Sequence, residues 1–272
     1  MISPSPTVVS RERSRHSNRG EMSMSHEDFT GAAARLGIGA ALTVLVLSVV
    51  YAVPLVLGLR SLASQNDPIL DPYFAIMELL IMGIAPALVV IMAAIHAYAP
   101  RDAKIYSLTA LVFMGLMAGI TCGCHIVLLT VGRQVTPADL PWLPFFLSFR
   151  WPSVTYALDI LAWNLFYPLG MLFAAVVFCG GGLARAVRAC MIASGMVSLV
   201  GLIGPVVGNM GIRSIGIVGY AGLAPVVAVL LAMVFHRASV RARTRSPRRS
   251  LAVARFWHVL RSPAAFYAYP AL

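Results

Sequence analysis

The stretch Lys104–Arg133, KIYSLTALVFMGLMAGITCGCHIVLLTVGR, holds 28 residues between its two end charges with no further Asp, Glu, Lys or Arg among them. Its apolar residues are continuous and do not alternate, so a half-buried strand is excluded. Inside lipid a backbone without water must satisfy its own N–H and C=O groups, and a helix does so within one segment. About 20 apolar residues cross the hydrocarbon core as a helix. The stretch therefore predicts a transmembrane helix.

Five more such windows lie outward from it. They run between Arg35 and Arg60 (24 residues), Glu78 and Arg101 (22), Asp159 and Arg185 (25), Arg188 and Arg213 (24), and Arg213 and Arg237 (23). Composition agrees, with 59% hydrophobic and only 11% charged residues, where a soluble domain carries about 25% charged. The expected fold is all-α, a polytopic membrane bundle of six transmembrane helices. The domain reading is a disordered N-terminal tail at 1–33, a six-helix domain at 34–236 and a basic C-terminal tail at 237–272. Within the last, Leu251–Leu260 reads as a short interfacial helix or as more of a disordered tail.

Positive residues set the expected orientation. With the N-terminus inside, 17 of the 21 Lys and Arg fall in cytoplasmic segments, and Arg60, Arg133, Arg150 and Arg213 fall outside. Both termini are then cytoplasmic. The net charge of +11 lies mostly in the tails, where retention and anionic lipid explain it. Membrane lipids are the expected partners of those tails, and nucleic acid is not.

The second outer segment, Gln134–Ser153, mixes Pro137, Pro141, Pro144 and Pro152 with Trp142, Phe145, Phe146, Phe149 and Trp151. It reads either as a segment lying over the bundle or as an aromatic belt at the interface. Five spans contain a proline, Pro54, Pro86, Pro168, Pro205 and Pro225, which shapes a bundle or breaks helices around a transport site.

The six-span topology turns scattered polar residues into a layer. Glu78, His125, Asp159 and Tyr220 each fall roughly 8–12 Å below the outer boundary at 1.5 Å per residue. Asn209 is shallower, and Trp163 and Asn164 lie about a turn deeper. Helical spacing adds Thr121 and Cys122 beside His125, and Tyr156 and Trp163 beside Asp159. Ionisable groups in a bilayer cost about 2.5–3.5 kcal/mol each on insertion scales, so they face inward and find partners. Three readings follow. The layer holds the bundle together, or it forms a ligand or proton pocket of Glu78, His125, Asp159, Asn164 and Tyr220, or it binds metal. One His and two carboxylates would leave zinc an open fourth position, but no His-x-x-x-His or Glu-x-x-His pair occurs in any span. No metal is assigned and the cofactor is unknown. The only lysine, Lys104, lies outside the last span, so retinal linkage of the rhodopsin kind is disfavoured. No Walker loop, dinucleotide fingerprint, Cys-x-x-Cys pair or Arg-rich voltage-sensing helix is present.

Ile95-His96-Ala97-Tyr98-Ala99-Pro100, the segment from Thr121 to Gln134, Trp151-Pro152-Ser153-Val154-Thr155-Tyr156-Ala157-Leu158-Asp159 with its continuation to Phe178, and the segment from Ser194 to Tyr220 together cover about half of the chain. They resemble a group of uncharacterised multi-pass bacterial membrane proteins. The resemblance implies the bacterial cytoplasmic (inner) membrane and supplies no activity. No functional residue is carried over from it.

The leading expectation is a protein that binds or translocates a small lipophilic ligand or an ion through an outer-leaflet polar pocket. The alternatives are a membrane-embedded enzyme acting on a lipid or isoprenoid, and a non-catalytic accessory or sensory subunit. The orientation is checked by reporter fusions active only in the cytoplasm. Fusions at Arg101–Ala103 should be active and fusions within 134–153 silent; the reverse pattern overturns it.

Overall fold

The structure is a computed structural model that describes residues 29–62, 69–135 and 140–260, with side chains as far as residue 242. Residues 1–28 of the expected N-terminal tail and 261–272 of the C-terminal one lie outside the described residues, as does Pro137. Every regular element among the described residues is helical: α1 (Gly31–Arg60), α2 (Tyr73–Tyr98), a 3-10 turn (Arg101–Ala103), α3 (Lys104–Leu129), α4 (Val131–Gln134), α5 (Leu143–Phe146), α6 (Val154–Leu161), α7 (Tyr167–Ala175), α8 (Leu183–Val200), α9 (Ile203–Val207), α10 (Met210–Ile217) and α11 (Leu223–Leu260). Two π-helical turns, Ala162–Phe166 and Val218–Gly222, join α6 to α7 and α10 to α11.

Six helices among the described residues are long and apolar enough to cross a membrane: Gly31–Arg60, Tyr73–Tyr98, Arg101–Gln134, Val154–Ala175, Leu183–Val207 and Met210–Ala242. The chain is a multi-pass membrane-helix bundle, all-α as its apolar windows require. Each span packs on its neighbours in sequence, and the sixth closes on the first. The bundle is thus a ring of antiparallel helices, with the start of the first span and the end of the sixth on one side.

Prolines account for the two π turns. Proline has no N–H for the carbonyl four residues back, and its ring crowds that oxygen. For Pro168 and Pro225 those positions are Asn164 and Ala221, each inside a π turn. The backbone widens there instead of breaking: the Tyr167 N–H reaches Ala162 O and the Leu223 N–H reaches Val218 O, five residues back in each case. Around Pro86 the helix stays α, and the freed Met82 carbonyl lies 3.9 Å from the Cys122 thiol.

Packing is driven by small residues, as expected where lipid is no less apolar than a side chain. The buried face of α1 is Ala34, Gly37, Ala41, Val44, Pro54 and Gly58. A Cβ on Gly37 would sit 2.7 Å from Ala94 and 2.8 Å from Phe235. The fifth and sixth spans touch backbone to backbone. A Cβ on Gly204 would stand 2.5 Å from Arg213 N, and one on Gly219 would stand 2.6 Å from Ser198 N and 2.7 Å from Ser194 O. The interior is filled by Met92, Met114, Met117, Met171 and Met191, all fully buried, whose flexible thioethers suit irregular gaps. The termini side is closed by Phe29, Tyr98, Phe178 and Phe235, with ring centroids 5.4–6.2 Å apart.

These contacts make a paired prediction. Gly219→Ala should destabilise the fold by about 1–3 kcal/mol through overpacking. Gly119→Ala, whose Cβ would meet nothing within 4 Å, should change stability little. Thermal unfolding of the two purified variants checks this, and equal effects would refute the close crossing.

Candidate functional site

Capping and clamping interactions aim the site. Asp71 accepts from the Ala75 N–H at 3.1 Å and thereby caps the start of α2. Arg133, in α4 just past the end of α3, donates to both Asp71 carboxylate oxygens at 2.7 Å. This clamp is exposed and adds little energy, but it sets the start of α2 against the end of α3. Glu78, about one and a half turns into the second span, then faces His125, one turn before the end of α3. The start of α6 is held by Ser153, which accepts from Tyr156 N at 3.1 Å and donates to Ser148 O at 2.6 Å. Thr155 donates to Phe146 O at 2.6 Å. Asp159 lies one turn further on.

His125 joins the two acids. Its Nδ1 is 2.5 Å from Glu78 Oε2, a hydrogen bond whose donor depends on the tautomer. Its Nε2 is 3.5 Å from Asp159 Oδ1, too far for a good hydrogen bond, and has no hydrogen-bond partner. The other Asp159 oxygen, Oδ2, is 3.6 Å from Arg213 Nη2. Glu78, His125, Asp159 and Arg213 are exposed by only 3, 3, 4 and 6%. Four helices thus bring two acids and two bases into one buried chain. With both carboxylates ionised, a doubly protonated His125 makes the charges cancel, and a neutral His125 leaves one negative charge over.

Aromatic rings wall the quartet. The Arg213 guanidinium lies 4.9 Å from the Tyr156 ring centroid, a cation–π contact. Phe149 packs on the His125 imidazole at 5.6 Å and on Tyr156 at 4.9 Å. In the proline- and aromatic-rich segment Phe149 thus packs against the quartet, while Trp142, Phe145 and Phe146 are exposed. Tyr51 of α1 lies within electrostatic range of Glu78, Asp159 and Arg213.

The other polar residues of the layer are placed differently. Tyr220, in the second π turn, packs on Trp163 at 5.1 Å and on Tyr167 at 6.3 Å. It edges the site, within electrostatic range of Arg213 and Asp159. Asn164 does not join the quartet. Its Nδ2 donates to Ser198 O at 2.8 Å, and its amide is wedged where a Cβ on Gly201 or Gly216 would collide with it. Asn209 caps α10, accepting from the Gly211 and Ile212 N–H groups at 3.0 and 3.3 Å. Thr121 is buried and donates to Met117 Sδ at 3.6 Å. Cys122 turns its thiol to Met82 O, because three residues leave it about 60° of helix rotation away from His125. Cys124 is instead the thiol within electrostatic range of Glu78 and Asp159.

Arg213 corrects a sequence expectation. It was counted with the outer segments, as a charge ending a span, yet it lies inside α10 and is buried. The signal was Asn209 after Gly208: an N-cap beside a left-handed residue (φ 71°) starts the helix before Arg213. Tyr51 and Phe149 carried no such signal, because their roles depend on helix rotation and loop course.

Among the described residues no group of three or more His, Cys, Asp and Glu is placed to hold a metal ion.

Breaking a buried pair strands a charge. Arg213→Met should therefore destabilise the protein by about 3–5 kcal/mol, and Asp159→Asn added to it should recover much of that loss. Unfolding of both single variants and the double checks the coupling; strictly additive losses would mean the two side chains do not interact.

No family, no curated protein and no solved structure matches this chain.

Proposed function

We propose that this chain is a multi-pass protein of the bacterial cytoplasmic membrane, with both termini cytoplasmic, that binds or translocates a small ligand or ion at an outer-leaflet polar site. Glu78, His125, Asp159 and Arg213 form that site, and Tyr220 lines its edge. Asn164, expected among the pocket residues, serves here to hold the fourth span against the fifth and sixth. The observation that carries the reading is the convergence of two carboxylates, an imidazole and a guanidinium from four helices in one buried cluster. Ionisable side chains inside a bilayer are costly, and where several meet they mark a ligand or proton path by default. Here both contacts to Asp159 stand at 3.5–3.6 Å, longer than a good hydrogen bond. Loosely held, incompletely satisfied groups at the centre of a polar cluster are what an exchangeable ligand requires.

The test is mass spectrometry of the folded protein from nanodiscs, before and after treatment with a lipid-soluble carbodiimide that attacks accessible carboxyl groups. Labelling at Glu78 or Asp159 is expected in the wild type, and a non-covalent adduct absent from the Glu78→Gln/His125→Ala protein would identify a ligand by mass. If both carboxylates stay unlabelled and the double substitution only lowers stability, the polar layer is structural and this reading fails.

A further inference from the structure

We infer that the ion exchanged at this site is the proton, and that His125 relays it between Glu78 and Asp159. The inference rests on the reading of the quartet as a binding site and names what it takes. Imidazole accepts a proton at one nitrogen while releasing one from the other. In His125 each nitrogen faces a carboxylate from a different helix, Nδ1 toward Glu78 of α2 at 2.5 Å and Nε2 toward Asp159 of α6 at 3.5 Å.

Other ions fit poorly. A hard metal cation needs about six oxygen ligands, whereas here a guanidinium faces one Asp159 oxygen and a ring nitrogen faces the other. An anion would have to enter beside two carboxylates. A proton needs only a lone pair at each step, and the two carboxylates and the ring nitrogens supply them. The titratable and charged groups facing the relay are Glu78 from α2, with Arg133 in electrostatic range of it, Asp159 and Tyr156 from α6, Arg213 from α10, Tyr51 from α1, Cys124 from α3 and Tyr220 beyond α10.

The step balances without a further reactant. Glu78 begins as the acid, His125 carries its proton on Nε2, and Asp159 is ionised. The Glu78 O–H breaks as Nδ1–H forms; the Nε2–H breaks as the Asp159 O–H forms. Glu78 ends ionised, His125 ends protonated on Nδ1, and Asp159 ends as the acid, with the net charge unchanged. The second transfer requires the Nε2–Oδ1 gap to close by roughly 0.5 Å to reach hydrogen-bonding distance. Return to the first tautomer passes through the doubly protonated ring.

The experiment is nitrogen NMR of protein labelled at its six histidines, reconstituted in nanodiscs between pH 5 and 9, with His125→Gln identifying the signal. The wild type should show both tautomers in exchange. Glu78→Gln replaces the charged acceptor that holds a proton on Nδ1 with a weaker, neutral one and should move the ratio several-fold toward Nε2–H. Asp159→Asn should move it several-fold toward Nδ1–H. The wild-type series decides by itself if a variant does not fold. A ring fixed in one tautomer throughout overturns the relay. If the carboxylates are then still labelled by carbodiimide or a mass adduct is present, the binding reading survives with another ligand; if neither is seen, both fall together.

Discussion

A carboxylate inside a hydrocarbon layer has no water to turn to, and that constraint organises this bundle. Asp159 stays buried because His125 stands on one side of it and Arg213 on the other. Glu78 stays buried because it shares a hydrogen bond with the same imidazole. Each partner comes from a different helix, so the charges can be accommodated only when the second, third, fourth and sixth spans are correctly rotated and at the right depth. The polar site and the helix arrangement are therefore one problem, because a helix rotated by a residue would leave an ion facing lipid.

The two halves of the ring solve it differently. The first three spans run as long helices, with the Asp71–Arg133 clamp aligning the ends of the second and third. The last three are segmented. A π turn gives each of the fourth and sixth spans one residue more per turn where a proline has removed a hydrogen bond, and this shifts the register of everything beyond it. Asn164 and Tyr220 lie in these turns. Ser194 spans the same region, donating to Gly219 O at 2.7 Å and pairing with the Tyr167 hydroxyl at 2.8 Å. Glycines then let the backbones come close enough for those short side chains to reach.

The apolar surface follows from the same solvent. Leu36, Val46, Val49 and Val53 of α1 are more than half exposed. In water such a face would be an aggregation hazard, but toward acyl chains it is the expected exterior. The buried residues of α1 are small because that helix must approach two neighbours closely, while its large residues have lipid to fill.

The sequence by itself determined the number of spans, their helical nature and the common depth of Glu78, His125 and Asp159. Each of these depends on length, continuity and distance along a helix axis, which are local quantities. Only the tertiary structure decided which of the polar residues meet. Depth says nothing about rotation, so Tyr220 at the same depth and Asn164 about a turn deeper could not be separated from the three that touch. Arg213 looked like a boundary charge because a charge ends an apolar window whether it faces water or a buried partner. Its pairing with Asp159 depends on the close backbone approach at Gly204 and on the left-handed turn at Gly208. Phe149 became the cover of His125 through the course of a loop whose prolines and aromatics allowed two readings. Contacts between helices far apart in sequence are set by packing and by the cost of an unpaired charge, and neither can be read along a single strip of chain.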